Sequence, residues 1–139
     1  MTASTPTDRE LEALKVLWER GEASVRDVAA AMNATGEELA YTTVLSLLQV
    51  MEQKGLVGHR REGKAYLYAP RVPRDRTFRS LAGDFLERVF DGAVDEYLVH
   101  AIDARDITAE ELDRLEQMIA DARKRASQSP KPKKKGGRR

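Results

Sequence analysis

The spacing of apolar residues predicts three helices in the first 55 residues of the chain. Thr7 and Glu10 have the spacing of a capping box, Ser24 with Asp27 provides a second N-cap, and Gly55 is placed to end the third helix. The residues that we expect to face inward are Leu11, Leu14, Leu17 and Trp18 in the first helix and Val25, Val28 and Ala29 in the second. The predicted helices cover about residues 7–20, 24–32 and 40–54, with a turn at 33–38.

The third predicted helix has a broad apolar side and one narrow polar edge. Thr42, Ser46, Gln49 and Gln53 recur at helical spacing along that edge, with Thr43 and Val50 at its margin. The opposite side, which we expect to be buried, carries Val44, Leu47, Leu48 and Met51. A helix that contacts base edges in a DNA groove needs a buried inner face and an outer face of hydrogen-bonding or methyl-bearing side chains. An ordinary solvent-exposed stripe is the structural alternative, and the neighbouring elements decide between the two.

A short β-hairpin is predicted directly after the third helix. Residues 56–61 and 65–69 are extended runs around a three-residue loop, Glu62 to Lys64, and Pro70 and Pro73 end the unit. Two helices joined by a turn and followed by such a hairpin predict a winged helix-turn-helix with a two-stranded wing. The cations of the wing, which would neutralise DNA phosphates, are His59, Arg60, Arg61 and Lys64. A solvated charged hairpin is the alternative, and we expect Tyr66 and Tyr68 to pack rather than to stack on bases.

The second half of the chain is predicted to form three more helices. They run from about Arg74 to Gly92, from Ala93 to Ile102, and onward from a second capping box at Thr108 and Glu111. These helices carry more large apolar residues than they can bury alone, which is typical of an interface. The residues that we expect at a dimer contact are Phe78, Leu81, Phe85, Leu86, Val89, Leu112, Leu115 and Ile119.

Charge is distributed unevenly along the chain, although the net charge is only +1. Residues 127–139 contain six of the 24 Lys and Arg residues and no acid, so residues 1–126 hold 18 basic and 23 acidic side chains. Within that acidic part, residues 54–79 carry eight basic side chains and two acidic ones. A local basic patch of this kind favours a nucleic-acid partner. The last 13 residues contain no apolar side chain and are expected to be disordered.

Several functional classes lack support in the sequence. The absence of cysteine excludes disulfides and thiolate metal sites. No apolar run approaches the roughly 18 residues of a membrane span, and the first ten residues lack the core of a signal peptide, so we expect a cytoplasmic protein that does not contact a membrane. His59 and His100 are the only histidines, and neither has the spacing of a metal ligand. We therefore expect no catalytic residues, no metal, no cofactor and no enzymatic activity.

Three stretches carry a resemblance to a known family. "ELEALKVLWERGEASVRDVAAAM", "LAYTTVLSLLQVMEQKGLV" and "REGKAYLYAP" resemble the penicillinase repressor (BlaI/MecI/CopY-type) family of winged-helix regulators over about residues 7–125. The most specific parts are Leu-Trp-Glu-x-Gly and Ala-Tyr-Thr-Thr-Val. The resemblance implies a homodimeric repressor that binds a palindromic operator through its third helix and dimerises through its C-terminal helices.

The resemblance also implies roles for individual residues. Thr42, Thr43, Ser46 and Val50 fall where family members contact DNA, and we add Tyr41 and Gln49 to the candidate set. This chain differs from several members in having no Lys or Arg between Tyr41 and Gln53. For penicillinase-type members the family implies induction by a protease, and its Asn-Phe bond aligns with Ala101-Ile102 here.

The sequence therefore predicts a mainly α-helical protein of three parts. These are a winged-helix DNA-binding domain at 1–70, a helical dimerisation segment at 71–126 and a basic tail at 127–139. The predicted partners are double-stranded operator DNA, a second copy of the chain and an inducing protease. Two other functions stay open: a protein-interaction module, and a non-specific nucleic-acid binder driven by the tail.

Overall fold

The structure is a computed structural model that describes residues 5–128. Its helices and strands follow the order expected from the sequence, with one additional short strand. The helices are α1 (Asp8–Arg20), α2 (Val25–Asn33), α3 (Tyr41–Gln53), α4 (Arg74–Phe90), α5 (Val94–Asp103) and α6 (Ala109–Gln128). The strands are β1 (Ala23–Ser24), β2 (Val57–Glu62) and β3 (Ala65–Pro70).

The first three helices pack around one hydrophobic core, as their apolar spacing predicts. Its fully enclosed side chains include Leu14 and Leu17 of α1, Val28 of α2, and Leu48 and Met51 of α3. The N-termini of α1 and α2 are capped as expected. The Thr7 hydroxyl accepts from Glu10 N while Glu10 accepts from Thr7 N, and the Ser24 hydroxyl accepts from Asp27 N. These caps satisfy backbone donors that have no partner inside the helix.

The sheet has three antiparallel strands in the order β1-β3-β2, so the expectation of a two-stranded wing was incomplete. Ala23 and Ser24 pair with Tyr68 and Leu67, which extends the wing with the residues that immediately precede α2. The expected three-residue loop is also corrected, because Glu62 pairs directly with Ala65. The remaining two residues form a tight turn in which Gly63 has a φ of 64°, a conformation that glycine adopts without steric cost.

The C-terminal helices begin and end close to their predicted positions. A turn with positive φ at Asp91 and Gly92 separates α4 from α5, and the Thr108 hydroxyl accepts from Glu111 N at the start of α6. The α6 helix continues to Gln128, two residues into the segment that we expected to be disordered. The remainder of that tail lies outside the described residues.

The chain divides into two compact units between Val89 and Phe90, near the end of α4. The first unit contains the winged helix and most of α4, and the second contains α5 and α6. Most of α4 is thus part of the N-terminal unit, whereas the sequence suggested a boundary at residue 70. The functional boundary between a DNA-binding and a dimerisation domain stays a prediction.

Candidate nucleic-acid interface

The polar edge of α3 is its solvent-exposed face. Val44, Leu48 and Met51 are completely buried, and Leu47 packs against the same core. The exposed residues on the other side are Tyr41, Thr42, Thr43, Ser46, Gln49, Val50 and Gln53. All six predicted contact residues of α3 are therefore accessible, together with Gln53.

The turn before α3 is held by a single side chain. The Asn33 amide group donates to the carbonyl oxygen of Leu39 over 3.0 Å, and the amide nitrogen of Leu39 donates to Asn33 Oδ1 over 2.8 Å. Leu39 itself packs against the core. This pair of hydrogen bonds closes the connection between α2 and α3, and it fixes the start of the exposed helix relative to α2. The sequence indicated a turn here but did not identify Asn33 as the residue that closes it.

The end of α3 is held by a partly buried ion pair. Lys54 Nζ lies 2.8 and 3.0 Å from the two carboxylate oxygens of Glu10, whose side chain is 4% exposed. Gly55 follows with a φ of 85°, which allows the chain to leave the helix and enter β2. The two ends of α3 are therefore attached to α2 and α1 by polar contacts in addition to the apolar core.

The wing has two different faces because successive residues of a strand point to opposite sides. His59 pairs with Tyr68 and Arg61 pairs with Tyr66, so these four side chains share the face nearer α3. Gly58, Arg60 and Leu67 belong to the opposite face, where they line a shallow pocket with Glu22. Arg60 and Arg61, which we expected to act together, thus lie on different faces of the sheet.

A cleft of about 420 Å³ separates the C-terminal half of α3 from the wing. His59 Nδ1 is 2.7 Å from Glu52 Oε1 across this cleft, and its ring packs 5.4 Å from Tyr66 and 5.3 Å from Tyr68. Tyr68 is buried, and the pKa of its phenol is raised by that burial and by the neighbouring carboxylate of Glu52. His59 therefore connects α3 to the wing, which differs from the free cation that we predicted.

Arg60 is engaged in ion pairs within the protein. Its Nε and Nη2 atoms donate to both carboxylate oxygens of Glu22 over 2.8 and 3.0 Å, and Nη2 also lies 2.9 Å from Glu62. The hydrogen bond with Glu22 and the attraction between the two charges raise the pKa of Arg60, and the same hydrogen bond lowers the pKa of Glu22. The two carboxylates compensate the charge of Arg60, which makes it less suited to a phosphate than Arg61.

A second cleft, of about 300 Å³, lies between the wing turn and the starts of α2 and α3. Arg26 and Lys64 supply two cations to its walls, and Tyr41 and Tyr66 supply two phenol groups. The guanidinium of Arg61 lies 5.4 Å from the centre of the Tyr66 ring. Sequence reasoning did not identify Arg26 as a candidate contact, and it expected Tyr66 to pack, as it does against His59 and Arg61. The adjacent N-cap Ser24 was the available signal for Arg26, since helix N-termini favour anions.

The described residues offer little to other chemistries. They contain no group of three or more His, Asp or Glu side chains arranged to hold a metal ion. None of the helices in the described part of the chain combines the length and apolar character that a membrane span requires. The exposed face of α3, together with the cations beside it, is thus the candidate functional site.

The family model for the penicillinase repressor matches residues 6–121, which is most of the chain. The chain belongs to the penicillinase repressor family. Among curated proteins, it is 36% identical to a Mycobacterium tuberculosis protein named transcriptional regulator BlaI, over 82% of each chain. It is 24% identical to the penicillinase repressor of Bacillus licheniformis, over 86% of this chain and 92% of that protein. Family membership and these relatives identify a DNA-binding transcriptional repressor, which is not a class of enzyme.

Solved structures of repressors are also similar to this chain. The DNA-binding domain of the repressor BlaI is 25% identical, with a TM-score of 0.46 over 52% of this chain and 90% of that one. The monomeric form of Bacillus licheniformis BlaI in complex with the blaP half-operator is 23% identical, with a TM-score of 0.45 over 53% and 89%.

The residues expected at a dimer contact of this repressor lie in different surroundings. Phe78 packs edge-on against Trp18 inside the N-terminal unit, with ring centres 5.6 Å apart. Leu81, Leu86 and Leu115 are half-buried. The more exposed members are Phe85, Val89, Leu112 and Ile119. Phe78 thus has a partner within its own chain, while Leu112 and Ile119 form part of an exposed apolar surface on α6.

The bond between Ala101 and Ile102 lies within the last turn of α5. Ala101 is half-buried and Ile102 is 39% exposed. A protease binds its substrate in an extended conformation, so cleavage at this bond would require the end of α5 to unfold locally.

Proposed function

We propose that this repressor acts as a homodimer that seats two copies of α3 in successive major grooves of a palindromic operator. The observation that carries this proposal is the outer face of α3, where Thr42, Ser46 and Gln49 are exposed directly opposite the completely buried Val44, Leu48 and Met51. A dimer on two half-sites one or more helical turns apart would cover the DNA between them. Repression then follows by exclusion of polymerase from an overlapping promoter.

We divide the contacts between bases and phosphates by chemistry and position. Hydroxyl, amide and methyl groups on α3 suit base edges, and the residues with these groups are Thr42, Thr43, Ser46, Gln49 and Val50. Cations and phenols around the second cleft suit phosphates, and these residues are Arg26, Tyr41, Arg61, Lys64 and Tyr66. We assign Arg60 a smaller contribution to phosphate binding, since its charge is already compensated by Glu22 and Glu62.

Because α3 contains no Lys or Arg, the proposed base contacts carry no positive charge. Neutral side chains that contact bases add sequence specificity, but they displace few counterions from the DNA phosphates. The salt dependence of binding should therefore come from the cations of the wing and of α2. Sequence preference and salt dependence should therefore be separable by mutation.

The homodimer is supported by apolar side chains that remain exposed on the C-terminal helices. Leu112, Met118 and Ile119 of α6 are between 40% and 59% exposed, and Val99 of α5 is 57% exposed. Apolar residues at this density on one small unit favour burial against a second copy. The proposed dimer surface is thus formed mainly by α6.

The experiment that tests this function is selection of DNA from a randomised library, followed by binding assays over a range of salt concentrations. We expect one palindromic site, recovered with two protein chains bound. Binding that hardly changes with salt and shows no sequence preference would favour a protein-interaction module. Binding that depends on residues 127–139 and selects no sequence would favour a non-specific nucleic-acid binder.

We further propose that induction separates the dimerisation helices from the winged helix, through cleavage near Ala101-Ile102 by a dedicated protease in the cytoplasm. A lone winged helix loses the high effective concentration provided by its tethered partner, so the operator would empty. Immunoblots of cells exposed to a cell-wall-active antibiotic provide the test. A full-length band that persists while target transcripts rise would eliminate cleavage as the trigger.

A further inference from the structure

The connection from the wing to α4, residues 71–73, is attached to the winged helix by two hydrogen bonds. Pro70 is the last residue of β3 and pairs with Val57, and the amide of Arg71 donates to the carbonyl oxygen of Leu56 over 2.9 Å. The carbonyl oxygen of Val72 accepts a hydrogen bond from Trp18 Nε1 over 2.9 Å. Pro73 then has a fixed φ and restricts Val72 to an extended conformation. A connection of only three residues thus has no obvious hinge.

The first turn of α4 is held in the same way. The carbonyl oxygen of Pro73 accepts from the amide nitrogen and the hydroxyl group of Thr77, over 3.0 and 2.8 Å, and Thr77 is 8% exposed. Phe78, one residue further on, meets the Trp18 ring edge-on, and the guanidinium of Arg74 lies 4.5 Å from the centre of the Phe78 ring. Trp18 thus contacts both the connection and the helix that follows it.

Trp18 itself packs against the hydrophobic core of the winged helix. It lies in the last turn of α1, next to the core residue Leu17, and is partly exposed. Its hydrogen bond to Val72 joins residues 54 positions apart in the sequence. The start of α4 is therefore fixed to the same core that positions α3.

The direction of α4 has a large effect on the distance between two DNA-binding surfaces. With 17 residues, α4 is roughly 25 Å long. A change of about 15° at its start would move its far end by about 6 Å, which is close to two base-pair steps along DNA. A dimer joined through the C-terminal helices can hold two copies of α3 at one spacing only if this direction is fixed.

We propose that Trp18 is a positioning residue that sets the half-site spacing of the operator without contacting DNA. The inference rests on the proposed homodimer, and it adds a determinant of DNA specificity outside the DNA-binding surface. Loss of the Trp18 hydrogen bond should loosen the start of α4, so that the dimer accepts several spacings and binds each of them less tightly.

The test uses the full-length protein and the operator selected with it. Affinity is measured for that operator, for versions with one or two base pairs inserted or removed between the half-sites, and for a version with one half-site scrambled. Trp18→Phe retains a ring but removes the N–H donor. Phe78→Leu provides a second variant, which removes the edge-on contact and is available should Trp18→Phe fold poorly. Val28→Ala is the matched control, because it weakens the core without touching the connection.

We expect the unaltered protein to lose at least about tenfold in affinity for each altered spacing. Trp18→Phe should bind the selected spacing about three- to tenfold more weakly, as expected for one lost hydrogen bond, and should distinguish the spacings less sharply. Its affinity for the operator with one scrambled half-site should stay within about twofold of the unaltered protein. Val28→Ala should lower the melting temperature and leave the spacing preference unchanged.

Two outcomes would overturn the proposal in different ways. A spacing preference that remains equally sharp in Trp18→Phe and Phe78→Leu would overturn the role of Trp18 and leave the homodimer intact. An unaltered protein that selects only single half-sites would contradict the proposed homodimer and this inference with it.

Discussion

The ammonium group of Lys54 lies 2.8 Å from the carboxylate of Glu10, and this ion pair attaches the end of α3 to the start of α1. Glu10 also accepts from the amide nitrogen of Thr7, so one carboxylate both caps α1 and holds the end of α3. Its side chain is 4% exposed and that of Lys54 is 27% exposed. The negative charge of Glu10 is therefore stabilised mainly by Lys54 and by the Thr7 amide, and little by water.

We expect Lys54→Met to lower the free energy of unfolding by about 2 kcal/mol. The value lies below the roughly 3–5 kcal/mol typical of a fully buried pair, because Lys54 is partly exposed. Urea denaturation measures the change. Adding Glu10→Gln should restore part of the loss, since Gln maintains the capping box without a buried charge. An equal loss in the exposed control Lys15→Met would argue against a specific role for the pair.

Asn33→Ala should lower stability by about 1–2 kcal/mol, because both polar groups of the Leu39 backbone lose their partner. The start of α3 should also become less ordered, so operator affinity should fall further than random-DNA affinity. Asn33→Asp retains the acceptor and loses the donor, and we expect an intermediate effect. Denaturation and operator binding measure the two changes, and wild-type behaviour of Asn33→Ala in both assays would contradict this account of the turn.

Substitutions on α3 and on the wing should affect DNA binding differently. Thr43→Ala or Ser46→Ala should cost roughly 1–3 kcal/mol on the operator and little on random DNA. Arg61→Ala should weaken binding to both DNAs and reduce the salt slope by about one. Arg60→Ala should change the slope less, because Glu22 and Glu62 already compensate its charge. Equal operator-to-random ratios in all four variants would show that the proposed division of contacts is wrong.

Glu22 should stabilise the wing at neutral pH and lose this effect in acid. Its pKa is lowered from an ordinary value of 4.5, mainly by the hydrogen bond from Arg60, so the stabilising ionised form is present above that value. As the pH falls through the lowered pKa, the carboxylate becomes protonated and the contribution is lost. Thermal unfolding of Glu22→Gln and of the unaltered protein should therefore differ at pH 7 and converge as the pH falls through the lowered pKa of Glu22. A constant difference between them would contradict the assignment, and Glu19→Gln is the exposed control.

Leu112→Glu combined with Ile119→Glu should convert the protein to monomers, because it places charge on the exposed apolar surface of α6. Sedimentation at micromolar concentration measures the change, with Arg114→Gln on the same helix as control. Operator affinity should fall with dimerisation while the winged helix stays folded. A monomeric unaltered protein would contradict the proposed dimer.

Much of the secondary structure could be predicted from the sequence, because its determinants are local. Capping boxes act over three residues and apolar periodicity acts over one or two helical turns, so α1, α2, α3 and α6 begin close to where the pattern predicts. The exposed face of α3 follows from the same periodicity. The winged-helix class follows from the order of these elements.

Other features depended on contacts between distant parts of the chain. A two-residue strand such as β1 has no periodicity of its own and exists only through pairing with β3. Strand alternation places Arg60 and Arg61 on opposite faces, but the tertiary structure alone decided which face lies beside α3 and which beside Glu22. The partners of Glu10 and Trp18 lie 44 and 54 residues away, so packing had to bring them together. The sequence by itself thus determined the helices and their buried sides, whereas the tertiary structure decided the partner of each charged and aromatic side chain.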